Sequence, residues 1–199
     1  CVFQAGQFAR PVAQSEPAAQ TTTKASVFWL TTPEGLRCVA FSVGQGRVVT
    51  AAHCIGASRS GTLTNTVDSS AIDVGRAVIN PAWAMSPTVG TDAAVLREED
   101  IGAIATRPVK FLNRSLRPGE VLTLITPSKG EKQCAVLGQS GPWIELSCFV
   151  EDGWSGAPLV LKDKDELVVA GILSGRGTNG QRGLAEASQA SAARALLGR

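Results

Sequence analysis

Ser155 stands in Glu151-Asp152-Gly153-Trp154-Ser155-Gly156-Ala157-Pro158-Leu159, between turn residues and an apolar run. A serine hydroxyl is a weak nucleophile unless a base takes its proton. The only histidine of the chain, His53, lies in Thr50-Ala51-Ala52-His53-Cys54 and is the candidate base. A base of this kind needs a carboxylate that holds its tautomer. Asp92, in Thr91-Asp92-Ala93-Ala94-Val95-Leu96, directly precedes an apolar strand and is therefore expected to be buried. Asp68, Asp73 and Asp100 compete for that role. Asp73, however, falls inside an alternating strand, and Asp100 sits beside Glu98 and Glu99 in a solvated run. Taken singly, each of the three residues also fits a surface or loop position.

The elements that must position these residues read as short strands separated by turn residues. Val27–Leu30 opens the ordered part. The turn Thr32-Pro33-Glu34-Gly35, the strand Leu36–Val43, the turn Gly44-Gln45-Gly46 and the strand Arg47–Thr50 follow, which places His53 just past a strand end. Ile72–Ile79 reads as one alternating strand stopped by Asn80-Pro81, and Asp92–Leu96 as another. Glu98–Ala105 reads as a short helical turn, and Thr106–Gly119, with Pro108 and Pro118, as a connector. Val121–Thr126, Gln133–Gly138, Trp143–Val150, Ala157–Leu161 and Leu167–Ser174 are further strands, and the apolar spacing of Ala187–Leu197 predicts a terminal helix. Many short strands suggest a sandwich or a pair of barrels.

His53, Asp92 and Ser155, in that chain order and each in its own motif, resemble the triad of the chymotrypsin-like (trypsin-fold) serine peptidases. Thr-Ala-Ala-His-Cys matches the family motif fully, and the resemblance spans about Ser26 to Ala187. It implies an all-β fold of two packed six-stranded antiparallel barrels with a C-terminal helix. Residues 1–25 would form a flexible tether, 26–112 the first barrel, and 113–199 the second barrel and the helix. It further implies His53 as general base, Asp92 as its orienting acid, Ser155 as nucleophile, and the N–H groups of Gly153 and Ser155 as an oxyanion hole. A glycine at 153 suits a turn with positive φ. The reaction class requires no cofactor and no metal, and the partner is a protein or peptide substrate.

Two departures from the family pattern stand beside the nucleophile. Trp154 occupies the position where activated zymogens carry an aspartate that pairs with a new amino terminus, and no Ile-Val-Gly-Gly-like start precedes Val27. In this the chain resembles the bacterial branch, glutamyl-endopeptidase-like and HtrA-like, that uses no such switch. A large indole in this loop must pack well, or the oxyanion donors fail to converge. Ala157 replaces a frequent glycine, a milder change. By position relative to Ser155, Phe149 and Val150 are expected at the base of the primary pocket, Ser174 and Arg176 on the substrate-pairing strand, and Gly183 on the opposite wall. No acid lies at the base, so Lys or Arg preference is not expected. Apolar or small side chains come first, an acidic side chain held by Arg176 second, and simple solvent exposure is the alternative for Arg176. The glutamyl-specific relatives use a pocket histidine, and His53 is the only histidine here.

The chain has five cysteines, none in C-x-x-C spacing. In the resembled family, a pair placed as Cys38 and Cys54 closes the histidine loop. Cys134 and Cys148 flank the turn Gly138-Gln139-Ser140-Gly141-Pro142, so their strands could face each other. Free buried thiols are the other reading for all four. Two disulfides would imply an extracytoplasmic protein, secreted or in the periplasm or cell envelope. The composition, 44% hydrophobic and 18% charged over 199 residues, is that of a globular chain. A net charge of +2 gives no argument for a nucleic-acid partner. No apolar run is long enough to span a membrane as a helix, and no secretory signal is visible. Cys1 followed by a Gln-, Ala-, Thr- and Pro-rich stretch resembles a mature lipoprotein with a lipid anchor, and a chain cut there by chance reads the same. A monomer is expected. Besides the endopeptidase, the motifs leave open a catalytically silent binding domain on the same fold, or an esterase.

Overall fold

The structure, a computed structural model, describes residues 27–55, 57–97, 109–163, 166–177 and 184–198. Gly183, Asp100, Cys1, the tether and the helical turn expected at 98–105 lie outside the described residues. The first sheet contains β1 (Val27–Thr31), β2 (Arg37–Gly44), β3 (Arg47–Thr50), β4 (Gly61–Asn65), β5 (Ala71–Val74), β6 (Val78–Ile79) and β7 (Ala94–Arg97). Their order is β5-β4-β1-β2-β3-β7-β6, with antiparallel pairing throughout. The strand expected over Ile72–Ile79 is split. Arg76, at φ 55°, turns the chain between its halves, and the two pieces stand at opposite edges of the sheet. Among the described residues no ladder joins those edges, so this sheet is a half-barrel.

The second sheet contains β8 (Lys110–Phe111), β9 (Val121–Thr126), β10 (Gly130–Ser140), β11 (Trp143–Phe149), β12 (Pro158–Asp163), β13 (Glu166–Arg176) and β14 (Leu184–Gln189). β12 pairs with both β9 and β13, which closes a six-stranded antiparallel barrel, and β8 attaches to β13 in parallel. The helix expected from Ala187 begins later, as α2 (Ser191–Leu197), following the short α1 (Pro81–Met85) of the first lobe. Residues up to Gln189 are strand instead. Ala185 and Ala187 are fully buried while their ladder runs between β11 and β13, and alternation of small residues serves a strand as well as a helix. The Arg47 guanidinium donates to the Leu197 carbonyl, tying the end of α2 to the first sheet. Among the described residues no helix is long and apolar enough to cross a membrane.

The pleat divides the first sheet between two cores. Phe28, Leu30, Cys38, Ala40, Val48, Ala94 and Leu96 fill the lobe's own interior. Their neighbours along the same strands, Val27, Val39, Phe41, Val49 and Val95, join one continuous core with the second barrel. Disulfides link Cys38 to Cys54 and Cys134 to Cys148, closing loops with separations of 16 and 14 residues. Each adds about 3 kcal/mol in the loop-entropy account.

Candidate active site

His53 sits in a single 3-10 turn, Ala52–Cys54, directly after β3. Asp92 ends another such turn, Val89–Thr91, directly before β7, and β3 and β7 are hydrogen-bonded neighbours. The sheet therefore brings together two residues 39 positions apart in the chain. The Asp92 side chain is 0% exposed. Its Oδ1 accepts from the His53 backbone N–H at 3.0 Å, and its Oδ2 lies 2.7 Å from His53 Nδ1. The Ser174 hydroxyl, on β13, also donates to Oδ2, and the Ser188 hydroxyl donates to the Asp92 backbone carbonyl at 3.2 Å. A buried carboxylate bears its charge only when so satisfied. The arrangement fixes the ring orientation and leaves Nε2 as the outward nitrogen. Trp83 of α1 stands beside the ring, 6.4 Å between centroids.

Of the rival acids, Asp68 is exposed and bonded to Ser70, which lowers its pKa, and Asp73 accepts from the exposed Thr62 at 2.7 Å. Among the described residues no hydrogen bond or ion pair joins either of them to His53, whose acid partner is Asp92.

Ser155 occupies a tight turn between β11 and β12. The Trp154 N–H donates to Glu151 and the Ala157 N–H to Trp154, while Gly153 and Gly156 take φ of +85° and +87°. Gly156 is required there, because a Cβ would stand 2.0 Å from the Val39 carbonyl oxygen. Two bonds fix the turn to both lobes: the Val39 N–H donates to the Ser155 carbonyl at 2.7 Å, and the Gly156 N–H to Leu173 at 2.7 Å. The N–H groups of Gly153 and Ser155 have no acceptor among the described residues. The Ser155 hydroxyl donates to the Ser174 carbonyl at 2.8 Å, and no hydrogen bond among the described residues joins it to His53. The Nε2 of His53 instead lies 3.6 Å from the Cys54 sulfur.

Trp154 is 3% exposed and is part of the shared core, with Cys134, Cys148 and Val150 in the same cluster. The Lys132 ammonium lies 5.9 Å from its ring centre. The indole thus points away from the cleft and anchors the turn from behind.

His53 and Ser155 share a cleft of about 310 Å³, bounded by Leu36–Cys38 on one side and by Val150–Gly153, Leu173, Gly175 and Arg176 on the other. Val150 and Arg176 both line it. Ser174 contributes its carbonyl to Ser155 and its hydroxyl to Asp92, a positioning role the sequence reading did not find. Phe149 is a correction, since it does not line the cleft. On β11, Ile144, Leu146 and Cys148 face inward, and Phe149 takes the opposite face, 62% exposed. Cys38, His53 and Cys54 form the one group of metal-ligand type among the described residues, and both thiols are spent on the disulfide.

No protein-family model matches the chain, and no curated protein matches it. Solved structures do. A Glu endopeptidase is similar with a TM-score of 0.70 and 12% identity, over 92% of this chain and 93% of that one. The inactive form of the Rv3671c protease has a TM-score of 0.65 and 20% identity, over 95% and 98%. An inactivated protease paralogue of the scabies mite has 0.69 and 15%, over 90% and 94%. The fold is that of the chymotrypsin-like serine peptidases. The active form of Rv3671c from M. tuberculosis matches at the same 0.65 as the inactive one, so the likeness is one of backbone architecture. What the site does is argued from its own chemistry.

Proposed function

We propose that this protein is an extracytoplasmic serine endopeptidase acting through an acyl-enzyme. The observation that carries the reading is a fully buried carboxylate bonded to both the backbone and the ring of His53, in a cleft shared with Ser155. Rotation about χ1 of Ser155 releases its hydroxyl from Ser174 and turns it toward His53 Nε2. Its oxygen then bonds to the substrate carbonyl carbon as the proton passes to Nε2, and Asp92 stabilises the imidazolium. The acceptor-free N–H groups of Gly153 and Ser155 receive the negative oxygen, a contribution of about 3 kcal/mol. Collapse breaks the C–N bond with the proton delivered from His53 to the leaving amine, and water, activated by the same imidazole, releases the acid. Two disulfides support an oxidising compartment.

A second reading, a catalytically silent binding domain, draws on the Ser155–Ser174 bond, which points the hydroxyl away from the imidazole. A fluorophosphonate probe separates the two. The peptidase labels covalently, and labelling disappears in Ser155→Ala and in heat-unfolded protein. Folded wild type that stays unlabelled supports the silent domain.

A further inference from the structure

The guanidinium of Arg176 is held on the Ser155 side of the cleft in a way the catalytic steps do not use. Its Nε donates to the Val150 carbonyl at 3.0 Å, which fixes the plane of the group at the edge of the turn that carries the nucleophile. One terminal nitrogen, Nη2, lies 3.1 Å from Asp152 Oδ1, and the Asp152 side chain is 98% exposed. An ion pair this solvated contributes almost nothing to stability and exchanges freely with other anions. The guanidinium is otherwise a planar fork suited to a carboxylate. Arg37, the other guanidinium lining the cleft among the described residues, is stacked 3.7 Å from the centre of the Trp29 ring. Glu151, the remaining acid there among the described residues, lies 4.0 Å from Lys129. Phe149, the large apolar residue expected at the pocket base, faces solvent instead.

We propose that this cleft is a carboxylate-binding pocket. Arg176 receives an acidic side chain, Glu or Asp, from the substrate residue just before the scissile bond, and Asp152 is a built-in carboxylate that the substrate displaces. This names the substrate class for the endopeptidase reading and rests on it for cleavage, but not for binding.

The test uses the folded, disulfide-intact Ser155→Ala protein, which holds peptides uncut. Binding is measured by calorimetry for two blocked hexapeptides that differ only in Glu or Gln at that residue. The Glu peptide is expected to bind roughly tenfold or more tightly than the Gln peptide, as for a charge-assisted pair. Adding Arg176→Gln removes the difference, and adding Asp152→Asn widens it. Both side chains reach solvent, and matching thermal midpoints verify that the folds are intact. Equal binding of the two peptides, no binding of either, or a Glu preference that survives Arg176→Gln overturns the proposal. Its failure is separable from that of the peptidase reading. Wild type that labels with fluorophosphonate but shows no Glu preference refutes the pocket alone, and unlabelled wild type whose Ser155→Ala form still selects Glu through Arg176 refutes the peptidase alone.

Discussion

At the scale of single residues, Asp92 carries the most demanding job, because its carboxylate serves three donors at once: the His53 N–H, the His53 ring and the Ser174 hydroxyl. An amide in its place accepts with one oxygen only and presents N–H to the rest. Asp92→Asn therefore favours the tautomer with the proton on Nε2, which cannot accept from serine. Under the peptidase reading, kcat on a peptide substrate falls about 10⁴-fold with little change in KM. Ser174→Ala leaves the carboxylate its two histidine donors, so the fall is smaller, roughly ten- to a hundredfold. Steady-state kinetics beside a thermal melt check both. An Asp92→Asn enzyme within tenfold of wild type contradicts the assignment. The meeting of His53 with Asp92, and a cleft shared by His53 and Ser155, were legible because each residue borders an apolar strand in a distinctive motif. The Ser174 hydroxyl was not, since a bond between residues 82 positions apart leaves no local trace. Phe149 was misplaced because counting back from Ser155 gives a position on the strand but not which face the side chain takes.

At the scale of elements, the turn leading into β9 has its own acid sensitivity. Glu120 accepts from both terminal nitrogens of Arg114, at 3.0 and 2.6 Å, and from the Arg117 N–H at 2.6 Å. These partners, Arg114 first, hold its pKa down from 4.5 to about 2. A carboxyl whose folded pKa is depressed stabilises the fold above its unfolded pKa, and that contribution is lost as pH falls toward the folded value. Glu120→Gln is thus expected to lower the thermal midpoint at pH 7 and to flatten its decline between about pH 4.5 and 2. Parallel melts of variant and wild type test this, and identical acid limbs count against it. Glu186 runs the other way. Burial, then repulsion from its cross-strand neighbour Glu145, raises its pKa. Its folded state prefers the proton, so its contribution is greatest in acid and is lost as pH rises through the raised pKa. Glu186→Gln should therefore raise the midpoint at pH 7 more than in acid. Most strands were legible from alternation and turn residues. β4 was missed because Gly61-Thr62-Leu63-Thr64-Asn65 offers one large apolar side chain. β14 was missed because its small residues suit a helix equally and the pairing that decides is non-local.

At the scale of the whole molecule, two lobes, each of seven strands among the described residues, are joined by a common core and by the turn that carries Ser155. The sequence resemblance anticipated the pair of β-lobes, but not that the first stays open, because seam closure depends on where a strand bends. The Ser155 carbonyl is held by the first lobe and the Gly156 N–H by the second, and Thr50 and Val39 press against the space a side chain at 156 would need. Under the peptidase reading, a hinge between the lobes would pull the Ser155 hydroxyl out of reach of His53, so the two ties predict that the halves move as one rigid clamp. Proton–deuteron exchange should register this. The amides of Val39 and Gly156 are expected to exchange only through global unfolding, as slowly as the innermost strands, rather than through a local breathing mode. Ligand entry must then be accommodated by side chains alone, and occupancy of the cleft should leave the lobes' relative tumbling in solution unchanged.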